Sequence, residues 1–269
     1  MKIAVFIKEI PLSDKVKIDP KTNNLMRSNE QGRINPYDVH AIEAALELKE
    51  KYGGEVNVIS MGPPSFQMSL REALAMGCDN AYLLSSRAFA GADTLATAYT
   101  LAQAVNKIGD IDIMLFGLKA IDADTGQVGP LVAEALNVPQ VTFVSGIDLV
   151  NQTNQTIDLA YKTETEEFLV RSSYPVVISV TEEVNVPRYL SPLRIKHIMN
   201  QEITIWNESD LACASDCIGM LGSPTIVTET YVPQEAARQV TMLEGSPQAA
   251  AEQLVDILRN KHILKEDTL

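Results

Sequence analysis

The chain has 269 residues, 46% of them hydrophobic, with 22 Lys and Arg against 35 Asp and Glu, a net charge of −13. That length admits one large domain or two small ones, and a chain of this size buries about three quarters of its unfolded surface, so neither disulfides nor metals are needed to hold a core. The acidic balance argues against a nucleic-acid groove or an anionic-membrane surface, which both require clustered positive charge, and the apolar fraction excludes wholesale disorder.

Taken in chain order, the first half alternates two hydrophobic rhythms. Lys2–Ile7, Val56–Ser60, Ala81–Leu84 and Ile111–Phe116 are short apolar runs that predict strands. Segments of 3.6-residue period predict helices between them. Tyr37–Lys51 places Val39, Ile42, Ala45 and Leu46 on one side; Ser65–Ala75 turns Met68, Leu70 and Leu74 inward; Thr94–Asn106 does the same with Leu95, Ala98, Leu101 and Val105. Strand and helix alternating at this spacing predict an α/β fold, a doubly wound, mostly parallel sheet with right-handed crossovers, over residues 1 to about 145.

The pattern then changes. Val144–Leu149, Thr156–Tyr161, Glu167–Val170 and Val176–Val180 predict an antiparallel meander extending the same sheet, with polar turns such as Asn151–Asn154 between strands. After Pro187 the chain is punctuated by Pro192, Gly222-Ser223-Pro224 and Pro233, and an amphipathic helix runs from about Pro247 to Lys261, with Ser246 as N-cap. A tail joined by such loose segments packs either on a partner chain or back on its own domain. Cys78, Cys213 and Cys217 make no disulfide framework, and the opening MKIAVFIKEI is too short for a signal peptide. No stretch approaches the roughly 18 apolar residues of a membrane span. The expectation is a reduced, cytoplasmic, soluble protein without membrane insertion.

Ligands of an open parallel sheet bind beyond the carboxyl ends of its strands, so the strand–helix junctions carry the functional signal. The most informative is Gly117–Pro130, before the helix containing Leu131, Ala135 and Leu136. Gly117 lets the chain turn off the strand, Asp124 or Thr125 can cap the next helix, and Gly126 and Gly129 admit a phosphate close to the backbone, where free N–H groups form an anion site. Asp122 and Asp124 would repel that anion unless they point away as caps or accept ribose hydroxyls; an ordinary capped turn explains this loop equally well by itself. Both standard nucleotide fingerprints are missing. In Gly91–Thr97, Asp93 caps while Thr94 and Thr97 share a helical face. Met61-Gly62-Pro63-Pro64 reads as a tight turn, and Asn35 before Pro36 either caps the first long helix or reads an adenine edge.

Other chemistry is sparse. Cys213 and Cys217 offer two ligands at most, and His40, His197 and His262 are scattered, so no metal site is expected. No acid, base or nucleophile set assembles, which assigns any redox chemistry to a bound cofactor.

The strand ending in Lys8, Ile34-Asn35-Pro36-Tyr37-Asp38, Met61-Gly62-Pro63, Arg71–Gly77, Ala120-Ile121-Asp122 with Thr125-Gly126-Gln127, and Pro187-Arg188-Tyr189 stand in the order and spacing of the small (beta) subunit of electron-transferring flavoproteins, a resemblance that runs through most of residues 1–200. It implies an adenine-nucleotide-binding, Rossmann-like domain over residues 1–200 and a C-terminal arm, residues 201–269, packing on an alpha subunit that carries its own FAD. The nucleotide of the small subunit is a structural AMP in the ordinary branch. In the electron-bifurcating branch it is a second FAD, which takes a hydride from NADH and sends electrons separately to a flavin dehydrogenase (of acyl-CoA or 2-hydroxyacid type) and to ferredoxin or flavodoxin; NADH oxidation then belongs to the αβ complex only.

The resemblance places Phe6, Lys8, Asn35, Tyr37, Asp38, Met61 and Gly62 at the nucleotide, with Asp93, Thr94 and Thr97 and the run of Gly117, Ala120, Ile121, Asp122, Asp124, Thr125, Gly126, Gln127, Val128 and Gly129. The short loop after Asp122 and the Asp93–Thr97 stretch resemble the bifurcating form, where ordinary members carry a longer insertion. Two departures stand out: Ala123 where those relatives have Gly, and Leu118-Lys119 in place of an Arg-Gln pair, an ammonium lacking the planar fork of Arg. Tyr189–Ile195 resembles the segment that docks the dehydrogenase, with Leu190, Pro192, Leu193 and Ile195 as exposed apolar anchors. The competing class is a stand-alone adenine-nucleotide-binding module, which has little use for the meander or the long tail.

Overall fold

β1 (Lys2–Phe6) pairs in parallel on both sides, with β6 (Glu55–Met61) and β8 (Ile113–Gly117). The computed structural model describes residues 1–12, 17–18, 25–26, 32–190, 192–198, 201–229 and 240–264. Pro233 of the tail and the side chain of Pro192 lie outside the described residues. Between β1 and β6 come β2 (Glu9–Pro11), which pairs antiparallel with β5 (Gly32–Ile34), the short pair β3 (Lys17–Ile18) and β4 (Leu25–Met26), and then α1 (Pro36–Tyr52). α2 (Gln67–Met76) leads to β7 (Asn80–Leu84), parallel to β6, and α3 (Thr94–Ile108) carries the chain back across to β8.

Beyond α4 (Val128–Leu136), β9 (Gln140–Asn151), β10 (Thr156–Lys162) and β11 (Glu167–Ser173) form the antiparallel extension. β12 (Val176–Val180) departs from the sequence expectation: it is not the last leg of the meander but pairs in parallel with both β8 and β9. All five of its residues are buried, the signature of an interior strand covered on both faces. After α5 (Pro192–Ile198), β13 (Thr204–Trp206) pairs with β7, giving the sheet order β11-β10-β9-β12-β8-β1-β6-β7-β13. That edge pairing draws residues 201–228 into the unit Met1–Thr228, so the compact unit extends past the expected boundary at residue 200. The second unit, Glu229–Leu269, contains α6 (Pro247–Asn260), capped by Ser246, whose side chain accepts from the Ala249 amide.

Alternation along β1 splits the core in two. Ile3 and Val5 pack with Ile42, Leu46, Leu70 and Leu74 of α1 and α2 on one face; Ala4 and Phe6 pack with Ala98, Leu101 and Val132 of α3 and α4 on the other. This is the double winding expected from the two rhythms. Two inward assignments fail. Met68 is 65% exposed because Phe66 and Leu70 fill the buried positions around it, and Leu95 is 46% exposed while its neighbour Ala96 is fully buried.

Candidate functional site

The chain runs from β1 outward to β6 and β7, then reverses and places β8 on the opposite side of β1. The carboxyl ends of β1 and β8 therefore flank the switch point of the sheet, where open α/β folds bind ligands. The floor there is aromatic: Phe6 and Phe116, both buried, stack with ring centroids 4.2 Å apart.

A polar cluster ties the surrounding segments together. Asn35 is fully buried and neither caps α1 through its side chain nor stays free for an adenine edge. Its Nδ2 donates to Asp38 Oδ1 (3.0 Å) and to the Lys119 carbonyl (2.9 Å), and its Oδ1 accepts from the Ile121 amide (3.1 Å). The Lys8 amide donates to Asp38 Oδ2 (2.7 Å), and the Lys8 carbonyl accepts from the Asn35 amide (2.9 Å). Gly117 is required here by close approach: a Cβ would lie 2.3 Å from Asp38 Oδ1 and 2.6 Å from the Tyr37 carbonyl carbon. Burial pushes the Asp38 carboxyl up to about 7, against the pull of its N–H donors and of the Lys8 charge.

The two aspartates of the loop resolve their conflict with an anion by a route the sequence did not suggest. Neither Asp124 nor Thr125 caps α4, whose N-cap is Gln127 with no side-chain cap. Asp122 instead pairs with Lys8 (2.6 Å) and Asp124 with Lys119 (2.7 Å), and the hydrogen bond that Lys119 donates to Asp124 raises the Lys119 pKa. Lys8 lies 114 positions from Asp122 and leaves no local signal for that pair, whereas Lys119 and Asp124 sit in the same loop. Asp124 takes a left-handed φ of 57° and Gly126 one of 61°, followed by Gln127 at φ −91°, ψ −25°. Such a change of hand turns successive N–H groups toward one side and makes an anion-binding concavity. The first-turn amides of α4 add to it, for helices leave these without intrahelical acceptors. Packing by itself requires a glycine at 129: it is buried, and a Cβ there would meet Ser179 Oγ at 2.8 Å.

The neighbouring helix start joins this site. Thr94 Oγ1 donates to Gln127 Oε1 (3.0 Å), bringing α3 to the loop before α4. Asp93 caps α3 as expected, accepting from the Leu95 and Ala96 amides, while its second oxygen accepts from the Thr225 amide and hydroxyl. Partial burial pushes the Asp93 carboxyl up, but the Ala96, Thr225 and Leu95 bonds hold it below the usual range. Thr97 is half-buried one turn further along. Met61, Gly62, Tyr37, Ala120 and Val128 are half-buried around the strand ends; Ile121, Thr125 and Gln127 are exposed.

In the expected docking segment, Leu193 is 81% and Ile195 40% exposed. Leu190 is not an exposed anchor: it packs against the core. Arg188 fixes the chain before it, bonding Glu43 and Glu50 of α1. A separate cavity of about 310 Å³, lined by Leu46, Leu74, Arg188, Arg194 and Ile198 among others, lies between helices and away from the strand ends. Among the described residues no cluster of His, Cys, Asp or Glu could hold a metal, and no helix is long and apolar enough to cross a membrane.

A doubly wound sheet with a bonded polar cluster over its switch point defines a Rossmann-like α/β protein. The family model described as electron transfer flavoprotein domain matches residues 22–211. The chain is 42% identical over 268 residues to the electron transfer flavoprotein subunit beta of Thermoanaerobacterium thermosaccharolyticum, covering 98% of this chain and 100% of that one. It is 40% identical to Protein FixA of Azorhizobium caulinodans (99% and 97% covered) and 39% identical to the caffeyl-CoA reductase-Etf complex subunit CarD of Acetobacterium woodii (98% and 100%). The chain belongs to the electron transfer flavoprotein family, as a beta subunit. It is an electron-transfer protein whose kind pairs with an alpha subunit.

Proposed function

We propose that this beta subunit binds FAD across the switch point and, in complex with its alpha subunit, serves an electron-bifurcating system fed by NADH, with a flavin dehydrogenase and ferredoxin or flavodoxin as acceptors. The observation that carries the reading is the junction of two helix starts, α3 and α4, through the Thr94–Gln127 bond, beside an uncapped α4 and a left-handed Gly126. Paired starts suit the two phosphates of a dinucleotide better than a single monophosphate. The residues present fit such a group, because both loop carboxylates are already neutralised by Lys8 and Lys119.

In this reading the amides of Gly126, Gln127 and Val128 bind the diphosphate, the Thr97 hydroxyl orients it while Thr94 holds Gln127 in place, and Lys8 and Lys119 hold the carboxylates from repelling it. Asn35 fixes the Lys119–Ile121 turn that borders the adenosine. The flavin supplies the hydride-accepting and electron-splitting chemistry when bound. The kinship to CarD, named for a caffeyl-CoA reductase complex, favours an acyl-CoA type of dehydrogenase partner, with exposed Leu193 and Ile195 at its docking site. Residues 229–269 would pack on the alpha subunit. Free cysteines throughout are in keeping with a reducing, cytoplasmic setting. Nucleotide analysis by mass of the purified αβ complex tests the proposal: two FAD per heterodimer are expected, and one FAD with one AMP would refute it in favour of the ordinary branch.

A further inference from the structure

Asp38 stands at the start of α1 and is 6% exposed, yet among the described residues its carboxylate forms no ion pair, since the Lys8 ammonium bonds Asp122 instead. Three N–H groups from three segments surround it: the Lys8 amide beyond β1, the Gly117 amide at the end of β8, and Nδ2 of Asn35. Asn35 passes the connection on, gripping the Lys119 carbonyl and the Ile121 amide. One buried oxygen pair thus fixes both strand ends of the switch point and the loop that follows.

We propose that Asp38 is a positioning residue: its ionised carboxylate sets the 117–121 turn for the nucleotide, and taking up a proton loosens the grip. The chemistry is a matter of donors and acceptors. Its three hydrogen-bonding neighbours all donate, so a proton on Asp38 finds no acceptor among them and weakens the oxygen that carries it as an acceptor. Burial holds the group near pH 7, so the change falls in an accessible range. The ionisable residues closest along the segments that meet at Asp38 are Tyr37 and His40 at the start of α1, Lys8 beyond β1, and Lys119, Asp122 and Asp124 after β8; Glu43, Glu47, Lys49, Glu50, Lys51 and Tyr52 lie further along α1. Lys8 is the one whose charge bears on Asp38; the His40 ring is engaged with Asn185.

The proposal rests on the switch point being a nucleotide site, but not on whether the nucleotide is FAD or AMP. Nucleotide set free from the αβ complex is collected by timed ultrafiltration and identified by mass. Release is expected to be about tenfold faster at pH 6 than at pH 8.5, the size of one hydrogen bond to a charged group, with its midpoint near 7. In Asp38→Asn it is expected to be flat across that range. A pH profile surviving in the variant, or absent from the unaltered complex, overturns the proposal. Should Asp38→Asn fail to fold, amide exchange at Ile121 in the unaltered complex, corrected for its intrinsic pH dependence, decides: protection must fall as the pH drops through 7, and constant protection refutes the positioning role. A complex containing no nucleotide beyond the alpha subunit's FAD would refute the nucleotide site, while Ile121 exchange would still judge Asp38 by itself.

Discussion

Replacing Gly117 by Ala probes the closest contact in the site. The added Cβ would sit 2.3 Å from Asp38 Oδ1, 2.6 Å from the Tyr37 carbonyl carbon and 2.7 Å from the Asp38 amide nitrogen. Two of those atoms are backbone at the start of α1, so relief requires β8 and α1 to part, not a side chain to rotate. Gly117 does not adopt a positive φ, so the penalty is one of overpacking, about 1–3 kcal/mol, and it lies at the upper end because the neighbours are rigid. For a unit of this size, about 3 kcal/mol corresponds to a drop in Tm of about 6–12 °C. Gly146→Ala is the control, since its Cβ would meet only the Ala160 Cβ at 3.5 Å, an ordinary contact. Thermal melts of the αβ complex followed by circular dichroism check both, with nucleotide content measured alongside. Gly117→Ala is expected to melt well below Gly146→Ala and to retain less nucleotide. Equal melting temperatures for the two variants would refute the argument that α1 is locked onto the end of β8.

Lys119→Met leaves Asp124 unpaired beside the concavity; nucleotide affinity is expected to fall about tenfold, whereas Cys213→Ala and Cys217→Ala leave it unchanged, as equilibrium dialysis will read. Asp38, at 3.8 when unfolded and about 7 when folded, binds its proton more readily in the native state, so its contribution to stability is fully present below pH 3.8 and is lost as pH rises through about 7, at a cost of about 4 kcal/mol. Urea midpoints of the isolated subunit should therefore decline from pH 5 to pH 8 more steeply than those of Asp38→Asn; parallel declines would contradict the assignment. Arg188→Met strands the buried Glu43 carboxylate and is expected to cost about 3–5 kcal/mol in urea unfolding, much of it restored by adding Glu43→Gln.

The preference of the fold for a neutral Asp38 and the need of the site for a charged one oppose each other. Such opposition is common where a group is retained for function at the expense of stability. Arg188 illustrates a related arrangement: its guanidinium grips α1 so that the exposed Leu193 and Ile195 follow a chain anchored at a defined place.

The hydrophobic rhythm by itself determined the doubly wound core, because burial on two faces of a parallel sheet demands apolar runs in β1, β6, β7 and β8 and a 3.6-residue stripe in the helices between them. Local chemistry likewise announced the Asp93 and Ser246 caps, whose partners lie within three residues. The loop after β8 was legible as a glycine-bearing junction at a strand end, which is where we propose the nucleotide binds. What Asp122 does was decided only by tertiary structure, whereas Asp124 pairs with Lys119 inside the loop. Lys8 and Asp122 are 114 positions apart, and Asn35 meets Ile121 across 86; no window of sequence contains both members of either pair. The same holds for β12, whose five buried residues fit an antiparallel or a parallel neighbour equally well until the ladder with β8 is formed. A one-dimensional pattern fixes which surfaces must be buried, but the partner of each polar group is chosen when the chain brings distant segments together.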